Sequence, residues 1–298
     1  MTNYFYLSIL MAGLFTCSIL QAQQAQFDDI SESCGLTDNN RNIGVAFGDY
    51  NNDGHDDIYV SRPIGENLLF EALGDGTFEE VGVLAGVNVA EKTRTAVWGD
   101  INNDGWLDLY LGQLDAPNRL FLNDGNGQFT DISEEAGISA AESKTRTVLM
   151  ADVNNDGWLD IYDANFEQQN ALYINQGNTT FVDEVYSSGA TDFKKAMGAV
   201  FFDYDNDNDL DLYLTHDGNE EFILYQNDGE GNFLDVSVSA NADMRGLGMG
   251  VDFGDVNNDG YLDLYVTNLL ENFLLLNNGD GTFTDIGQAA GVDDIGMG

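Results

Sequence analysis

Basic residues are scarce in this chain: 10 Lys and Arg stand against 52 Asp and Glu in 298 residues, a formal net charge of −42. A field of that sign repels phosphate backbones, which excludes nucleic acid as a partner, and it repels anionic bilayers as well. Cysteine is nearly absent, with only Cys17 and Cys34. Cys17 lies in an unbroken apolar and small stretch, residues 4–20, followed by Gln21-Ala22-Gln23. This predicts a secretory signal over 1–22, cut after Ala22, although its first residues carry no Lys or Arg. A mature chain, 23–298, would then hold one cysteine, no internal disulfide and no membrane span. Histidine occurs twice, at His55 and His216, and neither G-x-S-x-G nor H-E-x-x-H is present. The familiar hydrolase constellations are therefore missing.

What the chain has instead is a nine-residue string written five times. DYNNDGHDD, DINNDGWLD, DVNNDGWLD, DYDNDNDLD and DVNNDGYLD begin at Asp49, Asp100, Asp152, Asp203 and Asp255, at separations of 51, 52, 51 and 52 residues. So regular a period means a repeat architecture. Each copy offers hard oxygen donors at positions 1, 3, 5 and 9, with position 7 varied as expected if only its carbonyl binds. The expected ligand sets are Asp49, Asn51, Asp53, His55 and Asp57; Asp100, Asn102, Asp104, Trp106 and Asp108; Asp152, Asn154, Asp156, Trp158 and Asp160; Asp203, Asp205, Asp207, Asp209 and Asp211; and Asp255, Asn257, Asp259, Tyr261 and Asp263. Calcium takes six to eight such oxygens, so about five Ca²⁺ are expected, one per loop. Three carboxylates gathered without a cation would repel by about 4 kcal/mol per pair at ~4 Å and an effective dielectric of ~20. Position 6 is Gly54, Gly105, Gly157, Asn208 or Gly260, as a sharp bend with φ > 0 requires.

An EF-hand would need a glutamate at position 12, but Val60, Leu111, Asp163, Leu214 and Val266 stand there. Position 9 leads directly into apolar-Tyr pairs (Ile58-Tyr59, Leu109-Tyr110, Ile161-Tyr162, Leu212-Tyr213, Leu264-Tyr265), which are strand residues. A first strand enters each loop through Phe47, Trp98, Met150, Phe201 or Phe253. A third reads NLLF, NRLF, NALY, FILY or NFLL. After a Gly/Asn-rich turn a fourth begins at Phe78, Phe129, Phe181, Phe233 or Phe283. Four strands per period predict an all-β propeller blade. Phe27-Asp28-Asp29-Ile30 matches a further fourth strand, and Gly296-Met297-Gly298 matches the start of another first strand. The expectation is thus five complete blades plus an N-terminal fourth strand, a piece of a ring with at least one further blade that is incomplete at its C-terminus. Cys34 fills the slot of Ala85, Ala136, Ser188 and Ala290, each before a glycine, and is expected to be a small packing residue.

Phe47-Gly48, Trp98-Gly99 and Phe253-Gly254, each followed by D-x-N-x-D-G-x-x-D, make residues 27–298 resemble FG-GAP/VCBS repeats. That family includes the integrin α-subunit propeller and secreted cartilage-acidic-protein-like proteins; the period tail NRLFLNDGNGQFTDISEEAGI is similar to the latter. Met150-Ala151, Phe201-Phe202 and Asn208 depart from the pattern. The resemblance implies a seven- or eight-bladed propeller with structural calcium in hairpin loops on one face and ligand binding on the other.

Eight basic residues lie in the connections just upstream of a loop: Arg41, Lys92, Arg94, Lys144, Arg146, Lys194, Lys195 and Arg245. The expected ligand face is a cationic inner rim opposite the calcium hairpins, with Arg41, Arg94, Arg146, Lys195 and Arg245 as its candidates, open to an extracellular protein or glycan. The alternative is that these residues pair locally with acids. The function expected is a secreted or cell-surface, non-catalytic adhesion module. A calcium-dependent polysaccharide lyase that uses His216, or a structural spacer of a larger surface protein, are the alternatives.

Overall fold

The computed structural model describes residues 27–38, 40–138 and 142–296; the segment expected to be a signal lies outside them, as do Met297 and Gly298. Five antiparallel four-stranded blades follow one another. Their first strands are Gly44–Gly48, Thr93–Gly99, Ser143–Ala151, Ala196–Phe202 and Gly248–Gly254. Their second strands are Asp57–Ser61, Asp108–Ala116, Asp160–Asn165, Asp211–His216 and Asp263–Asn268. Third and fourth strands follow each as consecutive hairpins, and the fourth begin at Phe78, Phe129, Phe181, Phe233 and Phe283. The nine-residue strings are the turns between first and second strands.

Alternation along the second strand drives the core. Tyr59, Tyr110, Tyr162 and Tyr213 are fully buried between neighbouring blades, and each such side chain contributes roughly 1.5–3 kcal/mol through its buried apolar area. The glycine of the F-G pair has a packing reason: a Cβ on Gly48 would lie 2.8 Å from the Trp98 ring, and one on Gly99 would lie 2.5 Å from Met150 Sδ. Blades therefore close against each other at that point. Where the pair is lost, a ring takes up the contact, as in the Phe202–Phe253 stack at 5.9 Å.

Three features differ from the sequence expectation. Residues 27–30 form no strand, and Phe27 is exposed. A fourth strand needs a third strand as hydrogen-bond partner, and no strand among the described residues pairs with 27–30. The following turn does keep its place, with the Cys34 carbonyl accepting from Phe78 N at 2.7 Å and Cys34 itself buried and unbridged. Single helical turns (Gly82–Ala85, Val185–Ser188, Gly287–Ala290) follow three fourth strands and end at left-handed glycines. Finally, each blade-to-blade connection zips antiparallel to the end of the preceding second strand. Thr93 N donates to Arg62 O, Leu114 pairs with Lys144, Phe166 with Lys195, Glu221 with Arg245, and Glu271 with Ile295.

Candidate metal centres and the opposite face

In the first loop Asp49 accepts from Asp53 N (3.0 Å) and Gly54 N (2.9 Å), Asn51 Oδ1 accepts from Asp53 N (3.0 Å), and Asp53 accepts from His55 N (2.9 Å). The position 1 and position 5 bonds recur in all five copies, for example at Asp100, Asp152, Asp203 and Asp255, and at Asp104, Asp156, Asp207 and Asp259. Asn102, Asn154 and Asn257 repeat the position 3 bond. Position 9 is different because it starts the second strand and is carried inside. Asp57, Asp108, Asp160, Asp211 and Asp263 are buried, and each bridges the loop to the third strand. Asp57 does so by accepting from Tyr50 N (3.2 Å) and Ala72 N (2.8 Å).

Burial pushes four of these carboxyls up, to about 6 for Asp57 and Asp160 and about 7 for Asp108 and Asp211. Two backbone N–H groups pull each partly back, and neighbouring carboxylates push again, Asp104 and Asp100 in the second loop. Negative charge thus converges on one buried group, and a cation would relieve it. The fourth loop fits a metal most plainly: Asp203, Asp205 and Asp211 bring ligand oxygens within 4.8 Å of one another. Asp205 Oδ2 accepts from Gln226 Nε2 (2.7 Å), and its buried Oδ1 has no partner. Calcium, hard and oxygen-seeking, suits these donors.

Position 7 side chains have a packing task beyond any carbonyl they offer. His55, Trp106, Trp158 and Tyr261 lie over Gly74, Gly125, Gly177 and Gly279 of the next hairpin in their own blade, with Asp209 beside Gly229. A ring can rest there only because each of those glycines has φ > 0 and no Cβ.

Two sets of asparagines escape the ligand reading altogether. Position 4 is Asn52, Asn103, Asn155, Asn206 or Asn258, each at φ between 55° and 61°, so the bend uses two left-handed residues in each loop. Their amides reach the next loop: Asn52 to Gly105 O (2.8 Å), Asn103 to Gly157 O (2.9 Å) and Asn206 to Gly260 O (3.0 Å), while Asn155 meets Asp209. At the ends of third strands, Asn123, Asn175, Asn227 and Asn277 are buried and donate back to the preceding loop at Tyr50 O, Ile101 O, Val153 O and Tyr204 O. The invariance of position 4 across five copies was the available signal.

On the opposite face the basic connections divide. Lys92 pairs with Asp115 (3.0 Å), Lys195 with Glu167 (3.5 Å), Arg245 with Glu221, and Lys194 lies 4.0 Å from Glu221. Local pairing accounts for these. Arg41, Arg94, Lys144 and Arg146 have no ion pair among the described residues. Arg94 and Arg146 are the bulged residues of adjacent first strands, as Met197 and Met249 are in theirs. Arg146 lies 4.6 Å above the Phe166 ring, its Nε is buried without a partner, and burial together with the Arg94 charge holds its pKa below the ordinary arginine value. His216 is fully buried between Asp192 (2.9 Å) and the Glu221 carbonyl (2.7 Å), and cannot meet a substrate there. No helix among the described residues is long and apolar enough to cross a membrane.

Among curated proteins, Cartilage acidic protein 1 of Xenopus tropicalis is 29% identical over 213 residues, covering 67% of this chain and 33% of that protein. The Homo sapiens protein of that name is 28% identical over 200 residues, covering 63% and 30%. The chain thus spans about a third of the length of these relatives. Two solved structures share the fold at low identity. One is a protein from Lactobacillus plantarum (TM-score 0.52, 11% identical, 82% of this chain and 70% of that one). The other is an Agrocybe aegerita lectin solved for its recognition of non-reducing terminal N-acetylglucosamine (TM-score 0.50, 17%, 80% and 63%). The FG-GAP-like repeat model matches at 49–111, 100–162, 152–214 and 203–266, each window running from one acidic loop through the next. Those windows contain the loop pairs joined above by asparagine, and this chain, a β-propeller of such blades, belongs to the FG-GAP-like repeat family.

Proposed function

We propose that this chain is the binding portion of a secreted or cell-surface protein, that it is non-catalytic and clamped by calcium in its five loops, and that Arg94 and Arg146 receive an anionic group of an extracellular glycan or protein. The carrying observation is the arginine pair. In a chain of net charge −42, two neighbouring guanidiniums are held on adjacent blades with no ion pair to either among the described residues, although the charges of Asp217 and Asp115 act on Arg146 from further off. A buried, unpaired Nε is costly, and a bound carboxylate or sulfate would satisfy it with charge-assisted bonds. The burial of His216 weighs against the lyase alternative, and relatives named for cartilage support a place outside the cell.

Calcium here acts as a staple. The residues at positions 1, 3, 5 and 9 would hold it, with the position 7 carbonyl; bound, it supplies positive charge where buried acids converge and stabilises the native state by mass action. Position 9 ties loop to third strand, and position 4 ties loop to loop, so clamping one turn stiffens its neighbours. Binding to sulfated polysaccharide and to poly-glutamate should fall by about tenfold in R94E/R146E, the equivalent of one charge-assisted bond. Undiminished capture by the folded variant would discard the arginine site, and no capture of either probe by the native chain would favour a spacer.

A further inference from the structure

Directly after the buried tyrosine, four second strands carry an aliphatic residue: Val60, Leu111, Leu214 and Val266. The third blade has Asp163. It is 1% exposed. Its Oδ2 accepts from Tyr110 Oη (2.8 Å) and Asn118 Nδ2 (2.7 Å), whereas Oδ1 has no hydrogen-bond partner among the described residues. The substitution changes its surroundings too. Tyr59, Tyr162, Tyr213 and Tyr265 donate to the backbone carbonyls of Val87, Ala190, Ala242 and Val292, but Tyr110 is turned across the blade boundary to Asp163. A repeat that elsewhere satisfies this position with a methyl-bearing side chain has here accepted a desolvated carboxyl with one oxygen idle. Such local departures concentrate at functional sites.

Asp163 lines a cavity of about 480 Å³ at the seam of the second and third blades, together with Asn118, Asn165, Asn170, Tyr173 and Phe193. That volume lies within the roughly 300–1,000 Å³ typical of small-ligand sites. The seam is unlike the others, because the second strand of one blade (Asp108–Ala116) and the first of the next (Ser143–Ala151) are lengthened and paired into one sheet. The cavity opens among the ends of second strands and the turns after them, on the face away from the acidic loops. Its chemistry is specific: amides that both donate and accept, two aromatic rings, carboxyls including Asp163 and Asp183, and no Lys or Arg. Such a lining repels anions and matches hydroxyl groups on a ring whose C–H faces can lie on aromatics.

We propose that this cavity is a subsite for a neutral sugar residue, one hydroxyl of which donates to Asp163 Oδ1. It uses none of the arginines assigned to the anionic ligand, so the two sites stand or fall separately. Saturation-transfer NMR on the calcium-loaded full chain tests it with the methyl glycosides of glucose, galactose, mannose, fucose and N-acetylglucosamine, and with methyl glucuronide and a sulfated galactoside as charged controls. At least one of the neutral glycosides should show transfer from the native chain, with affinity lowered about tenfold by D163L, the loss of one hydrogen bond. Phe193→Ala, at the exposed rim, should weaken the same signal severalfold, so the cavity can be tested even if D163L fails to fold. R94E/R146E should leave it unchanged. Transfer that persists undiminished in folded D163L overturns the assignment, as does transfer only from sulfated or uronate sugars. An absence of transfer from every neutral glycoside at millimolar concentration would mean that Asp163 is a structural carboxyl only.

Discussion

The loop face and the connection face of these blades differ in how strictly they repeat. On the loop face five turns share dihedrals, capping bonds and a buried acid nearly atom for atom, and asparagines stitch each turn to the next. On the connection face the blades diverge: arginine bulges in two first strands where methionine stands in two others, Asp163 where others have Val or Leu, and His216 locked inside the fourth blade. Strict repetition marks where every blade solves one problem, that of holding carboxylates beside a blade boundary. On the function proposed above, divergence marks the face where a single surface would meet its ligand.

Chelation gives the largest test of this contrast. Sites of the extracellular type, with Kd of roughly 10⁻⁴–10⁻³ M, contribute roughly 0.4–1.4 kcal/mol each at ~1 mM calcium. Over five loops EDTA should therefore lower Tm by on the order of 10 °C; an unchanged scan would remove the calcium reading and with it the reason for the strict face. Next in size is the pH response in chelator. Asp57, Asp108, Asp160 and Asp211 are raised to between about 6 and about 7, so the native state binds their protons more tightly than the unfolded chain does. The stability this lends is complete below about pH 4 and is lost as pH rises through about 6–7. Without metal, Tm should fall from about pH 5 to about pH 8, and calcium should abolish that fall. A Tm that instead rises over that window in EDTA would contradict the burial of these groups.

The smallest effect sharpens the contrast at one residue. Asn175→Ala removes three bonds of a buried amide, those donated to Ile101 O and Leu159 O and the one accepted from Gly177 N, and should cost about 1–3 kcal/mol in denaturant unfolding. It should leave ligand capture at the opposite face intact. Equal loss of stability and of capture would show that the faces are not independent.

Most of the architecture was legible because it rests on local chemistry repeated at a fixed period. Alternating apolar and Tyr residues, glycine at the bend and Phe at the start of each fourth strand need no distant partner to be read. The strand expected at 27–30 was legible in the same way and did not form, because a strand is a property of a pair. Position 4 asparagine was equally visible, but its partner lies a whole blade away, 53 residues for Asn52 and Gly105.

By itself, the order of residues determined the blade, its period, its turns and the gathering of acids in each of them, since all of these follow from side-chain alternation, backbone freedom and charge over a dozen neighbours. Only the packing of blade on blade decided which acids are buried, which basic residues are neutralised, that His216 is sealed off and that Asp163 faces a cavity. Burial and pairing depend on surfaces that approach one another through space, and sequence separation carries no measure of that distance.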